Sequence, residues 1–131
     1  MAKNIEIIAP GVDVSGNDKF VYSHGIRRGN LLFISGMVPR DRDNNLVGAD
    51  DIAVQCVQVY ENIKSVVEAA GGSMADITET TVIVTDNKYK ATHTEVRKRY
   101  FSPPYPCSTA IVAGLSPGYL VEVNATAVLG D

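Results

Sequence analysis

The stretch DDIAVQCVQVYENIKSVVEAAGG, residues 50–72, decides the architecture. Its apolar positions Ile52, Cys56, Val59, Ile63, Val66 and Ala70 recur at three- and four-residue spacing, the period of a helix with one face against a core. Asp50 and Asp51 suit the N-terminal end, where unpaired amides and the helix dipole favour negative charge. Gly71-Gly72 ends the pattern, so a helix is predicted over 50–70. Downstream, residues 76–85 hold Ile77, Thr80, Thr81, Val82, Ile83 and Val84, a β-branched density that suits a strand and crowds a helix. This strand is expected to run parallel to an earlier one.

Helical spacing returns through Tyr89, Thr92, Val96 and Tyr100, predicting a second helix over 89–101 that Pro103, Pro104 and Pro106 cannot continue. Residues 109–113 and 120–129 read as two strands joined by a turn at Leu115-Ser116-Pro117-Gly118. Upstream, residues 4–9 and 20–27 read as strands, the second following a Gly-Asn-Asp turn. Leu31-Leu32-Phe33-Ile34-Ser35 is a third strand, apolar enough to be buried on both faces. Gly36 marks a bulge or a close approach to the backbone.

The order is β-β-β-α-β-α-β-β, an α+β arrangement in one domain over 1–131, without internal repeats. Two helices cover only one face of so wide a sheet. Several strands are apolar on both faces, so the second face is expected to be buried against another copy of the chain.

A hydrophobic share of 45% in 131 residues supports one core. The 12 basic and 15 acidic residues are scattered, for a net charge of −3, with no basic block to neutralise a phosphate backbone. Nucleic acid is therefore not an expected partner. No apolar run approaches the roughly 20 residues of a membrane span, and the first residues lack the apolar stretch of a signal peptide. A soluble, cytoplasmic protein is expected. Cys56 and Cys107 stand far apart, neither with a second cysteine or a histidine at metal-ligand spacing. Both are read as free thiols of a reducing compartment, and no metal site is expected.

The order of elements, with Asn30-Leu31-Leu32-Phe33-Ile34-Ser35-Gly36, Ala69-Ala70-Gly71-Gly72, Thr80-Thr81-Val82-Ile83-Val84 and Val121-Glu122-Val123-Asn124-Ala125, resembles the reactive-intermediate deaminase (RidA/YjgF) family from about residue 20 to 129. The signature of that family is a Pro-small-Arg tripeptide followed some fifteen residues later by an apolar-Glu-apolar triplet. Val121-Glu122-Val123 supplies the second half, whereas Tyr105-Pro106-Cys107 puts a cysteine at the arginine position. The resemblance implies a chorismate-mutase-like fold: a mixed six-stranded sheet backed by two helices, assembled as a homotrimer with small-molecule clefts between subunits. It implies hydrolysis of an enamine or imine to a carbonyl compound and ammonia, without a cofactor. The family arginine holds a substrate carboxylate through a bidentate contact that a thiol cannot make. The substrate is accordingly expected to be non-standard, for instance an aminomuconate. The alternative is a trimeric small-molecule-binding protein that keeps the cleft and has lost hydrolysis.

Such hydrolysis needs a positioned water and one acid/base group. Glu122 is the candidate, being a carboxylate between two apolar strand residues, where a charge is costly unless used or paired. It could instead pair across a subunit interface or face solvent. Cys107 admits three readings: a small buried residue filling the arginine's space, a pocket wall, or a nucleophile needing a base from His24 or His93. By resemblance, Tyr22 is the pocket tyrosine, Ser35 and Gly36 the backbone turn beside the substrate, Thr94 a pocket residue on the second helix, and Ser108 and Thr109 small polar contacts. Tyr22 equally reads as a core aromatic with a satisfied hydroxyl. Tyr22 and His24, two apart, are expected on one strand face. His93 is expected to face solvent, Cys56 the core, and Arg27 or Arg28 could replace the missing clamp or be merely solvated.

Overall fold

The helix read from residues 50–72 is the central packing element of a computed structural model that describes residues 3–130. The ends of the domain expected over 1–131 lie outside that range. The helix, α2, spans Ile52–Ala69. Asp51 caps it by accepting a hydrogen bond from Val54 N at 3.1 Å. Asp50 is not in the helix but precedes it in a left-handed conformation, φ 57°. At the other end Gly71 N and Gly72 N donate to the carbonyls of Glu68 and Val67, and Gly71 takes the positive φ this closing motif demands. Cys56, Val59, Ile63 and Val66 are fully buried, as the periodicity predicted.

The other elements are β1 (Ile5–Ile7), α1 (Asn17–Phe20), β2 (Gly25–Arg28), β3 (Leu31–Met37), β4 (Ile77–Val84), α3 (Lys90–Arg97), β5 (Cys107–Val112) and β6 (Val121–Val128). They form one mixed sheet in the order β1-β2-β3-β6-β4-β5. β4 is antiparallel to β6 and parallel to β5. The 76–85 strand does run parallel to the earlier β3, since both are antiparallel to β6, but it does not adjoin it: both its neighbours come later in the chain, and α3 supplies the crossover a parallel β4–β5 pair requires.

Three boundaries also differ from the reading. Residues 17–20 form one helical turn, and the strand expected from 20 begins only at Gly25. Phe20 and Val21 are 66% and 87% exposed, so no packing holds them in the sheet, and Val21 has φ 59°. α3 stops at Arg97, after which Arg99 N and Tyr100 N bond back three residues in tighter turns ahead of the prolines. β5 starts at Cys107, two residues before its expected start.

Along β6, Val121, Val123, Ala125 and Ala127 face the helices and are buried. Glu122, Asn124, Thr126 and Val128 alternate onto the opposite face. Register partners share a face, so that surface also carries Glu79, Thr81 and Ile83 of β4, Cys107, Thr109 and Ile111 of β5, and Leu31 and Phe33 of β3. Exposed Leu31, Phe33, Ile111 and Val128 make it partly apolar. Its middle is polar, so the expectation of several strands apolar on both faces holds for β3 and not for β6. No helix among the described residues is long and apolar enough to cross a membrane.

Candidate functional site

The register of β3 on β6 shifts between Ile34 and Met37, which places a bulge at Ser35-Gly36. Glu122 occupies the space this opens. A Cβ on Gly36 would fall 2.6 Å from Glu122 Oε2 and 2.8 Å from its carboxyl carbon, so only glycine lets the carboxylate lie on the β3 backbone. Burial raises the Glu122 pKa above its ordinary value. Ser35 is engaged structurally: its hydroxyl donates to Ser23 O at 2.6 Å and its amide to His24 O at 2.9 Å.

Gly36 borders a cavity of about 370 Å³ lined also by Tyr22, His24, Arg40, Asn62 and Tyr119. Tyr22 and His24 precede β2 rather than lying on a strand, yet they adjoin, with ring centroids 5.1 Å apart at 87°. His24 Nε2 donates to the Asp13 carbonyl at 2.7 Å, which leaves the buried Nδ1 without a partner among the described residues. Burial raises the Tyr22 pKa, with the neighbouring Tyr119 and Asp13 adding to it.

The part of the lining supplied by α2 and the loops it holds was not read from the sequence. Of three amides on α2, Asn62 borders the cavity, and Gln55 and Gln58 support it from outside the lining. Gln55, fully buried, donates to Gly48 O at 3.0 Å and Gly118 O at 2.9 Å and accepts from Leu120 N at 2.8 Å. Asn62 donates to Val38 O at 3.0 Å and Arg40 O at 2.9 Å, and is itself held by Gln58 at 2.8 Å. Two loops are thereby fixed by their backbones. The guanidinium of Arg40 extends from one to the other, its Nε donating to Tyr119 Oη at 2.5 Å and Nη1 to Asn44 O at 2.8 Å. The available signal was Gln55 and Asn62, seven apart on the buried, mostly apolar face of α2.

The remaining candidates lie elsewhere in the protomer. Cys107 and Thr109 stand on the open sheet face beside Glu79 and Thr81, and the exposed thiol contradicts the reading of Cys107 as a buried filler within one chain. Cys107 lies two strands and two same-face rows from Glu122, roughly 10 Å across and about 13 Å along the sheet, so one copy does not bring the two together. Ser108 turns to the other face, beside Thr80. Thr94 is exposed on α3, its hydroxyl donating to Lys90 O at 3.1 Å.

His93 is a correction: it is 6% exposed and hydrogen-bonds through Nε2 with the Tyr60 hydroxyl at 2.6 Å. Burial, aided by the Arg97 charge, lowers its pKa to about 4. Arg27 donates to Gly29 O at 3.0 Å and to Ala70 O at 2.9 Å, capping α2, and Arg28 reaches Asn4. Neither replaces a carboxylate clamp in this protomer. Among the described residues no group of three His, Cys, Asp or Glu side chains is placed to hold a metal.

Fold and cavity together define an α+β protein whose single mixed sheet, backed on one face by α2 and α3, carries a glutamate on a glycine bulge at its open face. A model of the family described as Endoribonuclease L-PSP matches residues 18–129. A RutC family protein of Pyrococcus horikoshii is 39% identical over 107 residues, 81% of this chain and 85% of that protein. The crystal structure of RidA from the Antarctic bacterium Psychrobacter sp. PAMC 21119 superposes with a TM-score of 0.86 at 32% identity, covering 95% of this chain and 99% of that one. The YjgF gene product of E. coli gives 0.83 at 29%, covering 95% and 98%. The chain belongs to this L-PSP family, which includes the RidA and YjgF proteins.

Proposed function

We propose that this protein is a cofactor-independent deaminase that hydrolyses a reactive enamine or imine to a carbonyl compound and ammonia. The observation that carries the reading is Glu122, an acidic side chain seated on the Gly36 backbone with its pKa raised by burial. In the reaction an enamine takes a proton from solvent at carbon and becomes the protonated imine. Water then adds to the imine carbon while the Glu122 carboxylate accepts its proton, giving a carbinolamine. Glu122 returns that proton to nitrogen, the C–N bond breaks and ammonia leaves, and the hydroxyl gives up its proton to solvent as the carbonyl forms. A carboxyl held above its usual range suits both halves of this cycle, because it exchanges its proton closer to neutral pH.

The assembly that completes the site is a homotrimer. Glu122 and Cys107 are too far apart in one chain to act on one ligand, and the open face carrying both is the surface left uncovered by the helices. In this arrangement Cys107 and Thr109 of the adjoining copy line the far side of the cleft, and Tyr22 with the Ser35-Gly36 turn lines the near side. Two unpaired thiols fit a reducing, cytoplasmic setting. A ribonuclease finds less support: the net charge is −3 and no basic stripe interleaved with aromatics is present in the sequence. The test is ammonia release from 2-aminoacrylate generated in place. Wild type is expected to accelerate it and Glu122→Gln to lose that acceleration. An equally active Glu122→Gln overturns the assignment.

A further inference from the structure

We infer that Arg40 is the anion receptor of the Tyr22–Gly36 cavity and restricts its ligand to one bearing a single carboxylate. The inference rests on that cavity being the ligand site, and its test reads binding rather than turnover, so the two fail separately.

Arg40 is the only lysine or arginine among the residues lining the cavity. Its backbone is fixed on both sides: the carbonyl accepts from Asn62, and the amide donates to Val38 O at 2.8 Å. Its side chain is fixed as well. Nε is bound to the Tyr119 hydroxyl, Nη1 to Asn44 O, and the guanidinium carbon stands 5.4 Å from the Tyr119 ring centroid. A long side chain held at this many points has already lost its rotamer freedom, so binding a ligand orders little more. All these partners are neutral. The one ion pair found among the described residues is Lys98–Glu95, on the exposed face of α3. Arg40 therefore keeps a full positive charge with no contacting carboxylate, and Nη2 has no protein partner among the described residues. A carboxylate is the group such a preset donor takes.

The same lining limits the total charge. Asp13 and Asp41 also border the cavity. Each is held in place by its own local contacts, Asp13 accepting from the Ser15 hydroxyl and Asp41 from the amides of Asp43 and Asn45. One cation can pair with one ligand carboxylate, and the two acids beside it suit a ligand that also carries a positive charge, as a protonated imine with one carboxylate does. A dicarboxylate such as an aminomuconate would bring its second charge against these acids, which like-charge repulsion disfavours.

The probes are 2-oxobutanoate, its uncharged amide and the dianion 2-oxoglutarate, titrated into the intact protein by calorimetry at millimolar concentration. Wild type is expected to favour 2-oxobutanoate over the amide by about tenfold or more, and over 2-oxoglutarate by a similar factor. Arg40→Gln should bind acid and amide alike, and Arg40→Lys should recover part of the preference. Tyr119→Phe, which leaves the charge and removes its hydroxyl anchor, should cost a few-fold and serves as a second reading should Arg40→Gln fold poorly. Equal binding of acid and amide by wild type, an unchanged preference in Arg40→Gln, or no saturable binding of 2-oxobutanoate overturns the receptor. Tight binding of 2-oxoglutarate overturns the single-carboxylate restriction.

Discussion

No arginine among the described residues contacts a carboxylate, and two of them, Arg40 and Arg97, stand in opposite situations. Arg40 lies on a cavity wall with its flexible length fixed by Tyr119 and Asn44 and one nitrogen without a protein partner. Arg97 is drawn under α3, where Nη1 donates to both the Tyr60 hydroxyl at 3.1 Å and Thr80 Oγ1 at 2.9 Å, and the guanidinium carbon sits 4.8 Å from the Phe101 ring centroid. Its Nη2 is buried without a partner, and its charge depresses the protonation of His93. A cavity adjoins each, about 370 Å³ beside Arg40 and about 270 Å³ beside Arg97, but Arg97 commits Nη1 and its flat face to Tyr60, Thr80 and Phe101, which makes it a packing element. The charge is the same; the partners that hold it differ, a loop carbonyl and a loop tyrosine for Arg40 and core side chains for Arg97.

The largest expected effect belongs to the carboxylate on the Gly36 bulge, beside the cavity that holds Arg40. Glu122→Gln should lower kcat by about 10²–10⁴-fold, the usual range for losing a general acid/base, with its thermal midpoint unchanged or raised. Raised it would be because burial disfavours the charged form of Glu122. In wild type, activity that needs the Glu122 carboxylate should fall as pH drops through a pKa above the ordinary 4.5, and steady-state rates from pH 4 to 8 measure it.

The enclosed cluster should dominate acid sensitivity. His93 is neutral when folded, with a pKa of about 4 against 6.5 in the unfolded chain. Between those values the unfolded chain binds a proton that the folded one does not. The His93 contribution is therefore intact above pH 6.5 and lost progressively as pH falls toward 4, on the order of 3 kcal/mol in all. Urea titrations at pH 7 and pH 4.5 should show the loss, and His93→Gln should flatten it. If His93→Gln leaves the pH slope unchanged, the cluster does not hold a neutral imidazole.

Gly36→Ala should cost about 1–3 kcal/mol by urea denaturation, since its Cβ meets the Glu122 carboxylate, and should reduce activity with it. Combined with Glu122→Ala the stability loss should shrink, and an additive double mutant would show that the two side chains do not meet. Cys107→Ser should change stability by less than about 0.5 kcal/mol, the ordinary effect at an exposed position. A loss well beyond that, dependent on protein concentration, would place the thiol in a subunit interface.

Local patterns carried most of the fold into the sequence reading. α2 and β4 were legible because one has a sustained 3.6 period and the other a β-branched run, and neither depends on distant residues. The bulge at Gly36 was legible for the same reason. The partners of β4 were not, because pairing order is a property of the whole sheet. His93 was misplaced because α3 is short and polar, so its inward face shows in only His93 and Val96. Within the site, Glu122 was found through its apolar neighbours in the strand. Arg40 was missed because nothing around it in sequence is unusual. What distinguishes it is Tyr119, 79 positions away, and the amides of α2.

Gln55 touches the two loops beside the cavity only through the carbonyls of Gly48 and Gly118 and the amide of Leu120. Gly48 and Gly118 are held to glycine by their positive φ, and at Gly48 also by Val54. At the other loop positions the clamp is blind to the side chain carried, and residues such as Tyr119 are free to change over evolutionary time while the loop backbones stay where they are. A single glutamine on a helix in this way separates the shape of the cavity from its chemistry, leaving the specificity open to drift and the frame closed to it.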